Sequence, residues 1–458
     1  MTLKQYENYK PSGVEWLGEI PKHWEVKRVK DISQTQSGTT PTTNVNSYYE
    51  NGTHNWIRTT DLNDGKLYEV EYKVTDLAIN ECRLKFLPID SILVAMYGGF
   101  GTIGKNSILK KASTINQSVC AILPKAKYFN SDYFLYFLKY FRHDWKLFAD
   151  GTRKDPNINQ DAVKNLFFIY PTLSEQKEIA HYLDQKTTAI DRKIDLLEKK
   201  IDRYQALRKS LINETVCRGL DKSVKLKDSG IEWIGQVPEH WEVKRLKDLL
   251  RKNITDGPHE TPEFINEGYP FISVDGIVEG ELVFDDCRYI SKEDFKRFSK
   301  KVKIEKDDLF IGKAASTGKI ARVKVGFEFT VWSPIAVIKL SKKINPIFIE
   351  YFFKSEAVQH QIEDLCTHNT QKNIAMKDIP KIILAIPFIG EQIEIANYLE
   401  LQTLKIDTIV NNIKKQIETL KELRKTLIND VVTGKIKIMN EGLPLSIKYF
   451  DSQKSKDE

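Results

Sequence analysis

The chain repeats itself, and the repeat fixes its organisation. SGVEWLGEIPKHWEVKRVKDI at Ser12–Ile32 returns as SGIEWIGQVPEHWEVKRLKDL at Ser229–Leu249, with 14 of 21 positions identical at an offset of 217. A second pair, Ser174–Val216 and Gly390–Val432, matches at 19 of 43 positions, including EQ-x-EIA-x-YL (Glu175–Leu183, Glu391–Leu399) and LRK-x-LIN (Leu207–Asn213, Leu423–Asn429). Self-similarity of this order makes the 458 residues two copies of one unit of about 216. The segments are a tryptophan motif (1–32), a first variable region (33–173) and a central helix (174–220). A linker with the second tryptophan motif (221–249), a second variable region (250–389), a C-terminal helix (390–436) and a tail (437–458) complete the chain.

The long helices follow from period. Ile190, Ile194, Leu197, Ile201 and Tyr204 step by 4, 3, 4, 3, the seam of a coiled coil, with Leu207 and Leu211 continuing it imperfectly. Ile406, Ile409/Val410, Ile413, Ile417, Leu420, Leu423 and Leu427 repeat the pattern, and Gly219 and Gly434 stand where each helix would stop. At about 1.5 Å per residue each helix reaches roughly 60 Å and cannot bury its stripe alone. The two copies are therefore expected to pair, antiparallel if the halves are related by a pseudo-twofold axis. A helix lying on its own domain is the alternative.

Between these landmarks both variable regions show short β-rich runs (Asp90–Ala95, Asp307–Gly312), then an amphipathic helix (Ser131–Phe148, Pro346–Cys366), then an apolar strand ending at Pro171 or Pro387. The fold class expected is mixed α/β (α+β), twice, separated by the coiled-coil helices. One frame with two fillings suits selection of two different things, although drift after duplication would look similar.

Motifs with chemistry are few. Gly99–Lys105 satisfies both G-x-G-x-x-G and G-x-x-x-x-G-K, but Asn106 occupies the place where a nucleotide loop needs Ser or Thr, and the second copy has the wrong spacing. What the copies share is Thr102, Gly104, Lys105 and Thr317, Gly318, Lys319, a glycine turn with a hydroxyl and a lysine suited to a nucleic-acid phosphate or to a plain hairpin. The loops containing Arg153, Lys154 and Asn369, Gln371, Lys372 are rich in side chains able to pair with base edges, and Arg58 and Lys313 join them as candidate DNA contacts. Solvated turns share this composition. Glu25-Val26-Lys27 and Glu242-Val243-Lys244 have a nuclease-like E-x-K shape without the preceding Pro-Asp, and read as surface structure. His23 and His240 lack ligand partners, so no metal site is expected. Trp16, Trp24, Trp233 and Trp241 read as core or protein-interface anchors. No catalytic constellation is present: H-E-x-x-H, G-x-S-x-G and the Pro-Pro-aromatic run of amino-methyltransferases are all missing.

Charge narrows the partner class. The net charge of +7 is compatible with an anionic partner, but residues 33–170 carry 16 basic against 13 acidic groups and residues 250–386 carry 21 against 20. Selective contact is favoured over indiscriminate charge-driven binding. Five dispersed cysteines without a C-x-x-C pair, no signal-like start and no 18-residue apolar run lead to an expected cytoplasmic, non-membrane protein.

W-[IL]-G-x-[IV]-P-x-H-W before a variable domain, then P-x-x-x-EQ-x-x-IA-x-YL opening a long helix, all twice, closely resembles the specificity subunit of type I restriction–modification enzymes, from Ser12 to about Ile436. The resemblance implies two target recognition domains, each reading half of a bipartite sequence in double-stranded DNA, with the coiled coil setting the gap. It implies no catalysis and no cofactor on this chain. Two methyltransferase subunits would use S-adenosylmethionine, and two motor–nuclease subunits would use ATP and Mg. The runner-up is a coiled-coil scaffold whose two globular ends bind proteins.

Overall fold

A computed structural model describes residues 4–98, 101–125, 127–148, 157–314, 316–367 and 372–438. The chain divides into two compact units, Met1–Leu196 with Gln416–Glu458, and Leu197–Lys415. The units interleave along the sequence, because each takes the beginning of one long helix and the end of the other.

Unit 1 contains β1 (Glu25–Arg28), β2 (Thr35–Ser37), β3 (His54–Ile57), β4 (Lys66–Leu67), β5 (Lys73–Val74), β6 (Ile92–Ala95), β7 (Asn106–Leu109), β8 (Thr114–Ile115), β9 (Val119–Ile122), α1 (Ser131–Phe141) and β10 (Phe167–Tyr170). Its main sheet has the order β2-β9-β6-β7-β4, beside a smaller sheet β8-β3-β5 and the pair β10-β1. The strands β6, β7 and β9 are buried on both faces, which explains the unbroken apolar runs of β6 and β9. Helix α1 is capped by the Asn130 side chain, which accepts the Tyr133 N–H, and it drives Phe134, Phe137 and Phe141 into the core. The long helix α2 (Leu173–Arg218) starts here.

Unit 2 repeats the scheme with β11 (Glu242–Arg245), β12 (Thr255–Asp256), β13 (Tyr269–Ile272), β14 (Arg288–Ile290), β15 (Leu309–Gly312), β16 (Ile320–Arg322), β17 (Thr330–Val331), β18 (Ile335–Ile338), α3 (Pro346–Lys354), α4 (Glu356–Leu365) and β19 (Ile383–Ile386), followed by α5 (Ile389–Val432). The sheets are β12-β18-β15-β16, β14-β13-β17 and β11-β19. The single helices expected over Ser131–Phe148 and Pro346–Cys366 are each broken. The first tightens to a 3-10 helix at Arg142; the second is interrupted at Ser355, which turns extended and whose hydroxyl donates to the Phe352 carbonyl.

Within unit 1 the opening of α2 pairs with the end of α5, and Arg424 Nε lies 2.9 Å from Asp191 Oδ1. Within unit 2 the end of α2 pairs with the opening of α5, and Arg208 Nε lies 3.3 Å from Asp407 Oδ1. Arg208 and Arg424 are the same position of the repeat, as are Asp191 and Asp407, so each unit pairs its two helix segments through the equivalent residues. The seam residues Ile406, Ile413, Ile417 and Leu420 are buried and Ile190, Ile194, Leu197, Ile201 and Tyr204 half-buried, whereas Leu207 and Ile409 face outward. Ile428, Val431 and Val432 at the end of α5 enter the core of unit 1, and Ile212, Val216 and Cys217 at the end of α2 enter that of unit 2.

The repeated motifs build the joint at each helix end. Strand β1 pairs with β10 in the register Glu25↔Tyr170, which brings Trp24 beside the first turn of α2. Trp24 Nε1 donates to Glu175 Oε1 (3.1 Å), and His23 Nε2 bonds the same oxygen (2.8 Å). Trp241 Nε1 donates to Glu391 Oε1 (3.0 Å) and His240 Nε2 bonds the other oxygen, Oε2 (2.9 Å). The neighbouring glutamines, Gln176 and Gln392, donate to the Pro171 and Pro387 carbonyls and accept the Asn130 and Asn345 N–H groups. Burial would raise the Glu175 carboxyl, but hydrogen bonds from His23, Trp24 and Thr172 outweigh it and hold the group below its ordinary value.

Glycine closes the joint. Gly434 has φ +76°, and a Cβ there would lie 2.6 Å from Pro21 and 2.8 Å from Trp24; at Gly219, with φ +74°, the nearest atoms would be Glu391 Oε1 at 3.2 Å and Trp241 at 3.3 Å. Gly434→Ala is expected to destabilise unit 1 by about 2–4 kcal/mol, from left-handed strain plus overpacking, and Gly219→Ala to cost unit 2 about 1–2 kcal/mol. Urea titration of the two variants tests that order, and equal losses would contradict it.

Candidate nucleic-acid interface

In each unit a set of loops converges at one end of the sheets, held by the same backbone bonds. Strands β3 and β8 run parallel, so the residues after them, Arg58 and Asn116, emerge together, and the Asn116 N–H donates to the Ile57 carbonyl at 2.9 Å. Strands β13 and β17 do the same with Ser273 and Trp332, through Trp332 N–H to Ile272 O at 2.8 Å. Met96 N–H bonds Ser118 O and Ile158 N–H bonds Met96 O; Lys313 N–H bonds Pro334 O and Ile374 N–H bonds Lys313 O. Gly38 and Gly257 seat the fourth loop, since a Cβ would come within 1.7 Å of Ile115 O or 2.0 Å of Val331 O. The β6-β7 and β15-β16 hairpins supply the glycine turns.

The hairpin bonds correct the alignment made from sequence. Lys105 N–H donates to Thr102 O, and Lys319 N–H to Ser316 O, so the counterpart of Thr102 is Ser316, not Thr317. The Thr317 hydroxyl instead lies against the Lys313 and Lys372 carbonyls (3.0 and 2.8 Å) and ties two loops together. Lys105 is half-buried and Lys319 exposed, and neither has an acidic partner among the described residues.

Lys313 is not a free cation. Its side chain is buried and its Nζ sits 2.5 Å from Asp256 Oδ2, while Lys301 Nζ lies 2.7 Å from Asp256 Oδ1. Burial alone would raise the Asp256 carboxyl; the two lysines outweigh it and lower it. Arg58 is bonded to Asp61 at 3.3 Å and stacked 3.5 Å over the Tyr72 ring, and Lys372 is paired with Glu363. Arg153, Lys154, Asn369 and Gln371 lie outside the described residues.

Trp24 and Trp241 are wholly buried, so they are core residues and cannot anchor a partner. Trp16 and Trp233 stay at the surface: Trp16 packs 4.6 Å from Phe141, and Trp233 stacks 4.3 Å from His360 with Nε1 donating to Asp364. Glu25 with Lys27, and Glu242 with Lys244, form local ion pairs along β1 and β11, as surface structure would.

Sequence reasoning missed two side-chain pairs in the loop set. The Thr40 hydroxyl donates to Gln117 Oε1 in unit 1, and Ser333 Oγ bonds His259 Nδ1 at 2.9 Å in unit 2. The signal was present as Ser37-Gly38-Thr39-Thr40-Pro41 and Asp256-Gly257-Pro258-His259, glycine followed two residues later by a polar side chain. His259 Nε2 also lies 3.1 Å from Asp256 Oδ2, giving a Ser–His–Asp order. That carboxylate is shared with two lysines, and the same positions in unit 1 hold Thr40 and Gln117, so the order is not a hydrolytic triad. Among the described residues no group of three or more His, Cys, Asp or Glu could hold a metal, and no helix is long and apolar enough to cross a membrane.

Residues 21–203 and 238–419 each match the family described as the type I restriction modification DNA specificity domain. The chain belongs to that family. This specificity subunit is 27% identical to the type I restriction enzyme MjaIX specificity subunit of Methanocaldococcus jannaschii over 92% of its length and 95% of the relative's. It is 22% identical to the EcoKI specificity subunit of Escherichia coli, over 92% and 90%. Its fold matches a chain solved in work on complex assembly and conformational transition of the type I R-M system (TM-score 0.70, 14% identity, 90% of this chain and 98% of that one). It also matches the HsdS subunit from Thermoanaerobacter tengcongensis (TM-score 0.54, 15% identity, 91% and 98%). The family is the non-catalytic specificity component of type I restriction–modification, and each of the two matched stretches contains one target recognition domain.

Proposed function

We propose that the two recognition domains, over 33–173 and 250–389, read the halves of a bipartite duplex DNA sequence, and that the paired helices α2 and α5 set the gap. The observation that carries this reading is the common loop frame of the two units, held by equivalent backbone bonds but filled with different side chains. Lys105 and Lys319 on the hairpin turns suit phosphates, with Arg58, Thr102 and Lys372 as further candidate contacts; Lys313 and Thr317 hold the loops from within. Trp16 and Trp233 are the surface positions offered to partner proteins. The partners are two methyltransferase subunits, which supply S-adenosylmethionine and methylate adenine, and two motor–nuclease subunits, which supply ATP and Mg. Five unpaired thiols suit a reducing cytoplasm.

The test is co-expression with the neighbouring methyltransferase subunit in a methylation-free host, followed by single-molecule sequencing. A split motif with a fixed gap and N6-methyladenine is expected; a stable complex that methylates nothing would refute the reading. Adding seven residues at equivalent mid-helix points of both α2 and α5 keeps the seam in phase and lengthens the pair by about 10 Å. The gap should grow by about 3 base pairs, at about 3.4 Å each, with both half-sites unchanged. An unaltered gap would show that the helices do not set it.

A further inference from the structure

We propose that Thr40 with Gln117 in unit 1, and His259 with Ser333 in unit 2, are specificity-determining pairs, each reading one base position of its half-site. This rests on the reading of the two units as DNA recognition domains, and adds which side chains do the reading and with what polarity.

The two pairs occupy one place in the repeat. Thr40 and His259 each stand two residues after the glycine seated on a strand carbonyl, Ile115 O or Val331 O. Gln117 and Ser333 each stand two residues after those carbonyls, at the ends of the parallel pairs β3-β8 and β13-β17. Backbone bonds fix both loops, so the side chains project from the same frame. Gln117 and His259 are exposed, and Thr40 and Ser333 half-buried. The glycines and backbone bonds recur while the paired side chains change in kind, as expected where the frame is shared and the target differs.

Hydrogen-bond polarity is set within each pair. The Thr40 hydroxyl spends its single hydrogen on Gln117 Oε1. The Gln117 amide then presents its NH2 and one remaining oxygen lone pair, a donor–acceptor fork that matches the N7 and N6 edge of adenine in the major groove. In unit 2 the Asp256 carboxylate only accepts, so His259 Nε2 carries a hydrogen, and in the neutral imidazole Nδ1 accepts from the Ser333 hydroxyl. With its hydrogen committed, the Ser333 oxygen can only accept from a ligand, which matches an exocyclic amine, N4 of cytosine or N6 of adenine. Lys301 and Lys313 hold Asp256 ionised, so that it can only accept from His259 Nε2.

Two variants of the full chain, in complex with its methyltransferase subunit, test the assignment by methylation sequencing. Gln117→Glu replaces the fork with acceptors only. It is expected to change one base position in one half-site and to reduce methylation of the original sequence about tenfold or more, leaving the other half and the gap intact. Ser333→Ala is expected to relax one position in the other half alone. Unchanged half-sites in both Gln117→Glu and Ser333→Ala would overturn the proposal. If a variant methylates nothing, the purified complex is titrated with the parent duplex and an unrelated duplex. Weakening confined to the parent duplex supports the assignment, and equal weakening on both overturns it. Failure of the broader reading is told apart because the unaltered chain would then yield no split motif, which removes the pair assignment with it.

Discussion

Truncating Trp24 to alanine is expected to destabilise unit 1 by about 3–5 kcal/mol, and Trp241→Ala to do the same to unit 2. Both indoles are wholly buried. Each fills the space between the first turn of one long helix and the glycine that ends the other, so no neighbour can collapse into the cavity without moving a helix. Trp24 meets Gly434, and Trp241 meets Gly219. Truncation also strips one donor from Glu175 or Glu391, each of which would keep its histidine. Trp16→Ala and Trp233→Ala remove side chains that are only partly covered, and should cost about 1 kcal/mol. Urea unfolding of the four variants checks the split between the inner and outer tryptophans, and a loss below about 1 kcal/mol for Trp24→Ala would remove the joint from the account.

The contrast between those tryptophans marks where sequence reasoning stops. The repeat, the seam and the two-copy architecture were legible because they depend on period and identity, which need no third dimension. The invariance of His-Trp and Glu-Gln was equally visible, but its meaning was not: identical residues in both copies could have faced a partner, and only the register Glu25↔Tyr170 turns Trp24 toward Glu175. At the loops the reading failed for a different reason. Lys313 and Lys319 look alike on paper, six residues apart on one hairpin, yet Asp256, 57 residues upstream of Lys313, pairs with that ammonium and not with Lys319. Thr317 was matched to Thr102 by letter, while the hairpin bonds match Ser316 by position. Thr40 pairs with Gln117 across 77 residues and His259 with Ser333 across 74, so the glycine spacing marked one member of each pair and no local spacing announced its partner.

Duplication also supplies an internal control for a buried charge, and with it a prediction of comparable size. Register places Arg322 of unit 2 where unit 1 has Ile108, since Leu309↔Arg322 answers Ile92↔Ile108. Counting from the helix caps Asn130 and Asn345 places Glu350 where unit 1 has Leu135. The same core site is therefore an apolar pair in one unit and an ion pair in the other. Arg322 Nε lies 2.9 Å from Glu350 Oε2, with Lys354 Nζ 2.6 Å from Oε1 and Asp307 2.7 Å from Arg322 Nη1. Glu350→Leu alone leaves a buried guanidinium without its innermost partner, and should cost unit 2 about 3–5 kcal/mol. Arg322→Ile with Glu350→Leu transplants the unit 1 pair, and should return stability to within about 1 kcal/mol of the parent or above it. Burial would raise the Glu350 carboxyl, but Lys354 and Arg322 outweigh it and lower it. A lowered carboxyl contributes stability above its unfolded value, near 4.5, that is lost as pH falls below it through the folded value. The double variant should therefore lose less stability than the parent between neutral pH and pH 3. Urea midpoints of the parent, single and double variants at both pH values decide it, and a double variant as unstable as Glu350→Leu would mean that unit 2 depends on the charge itself and not on filling the site.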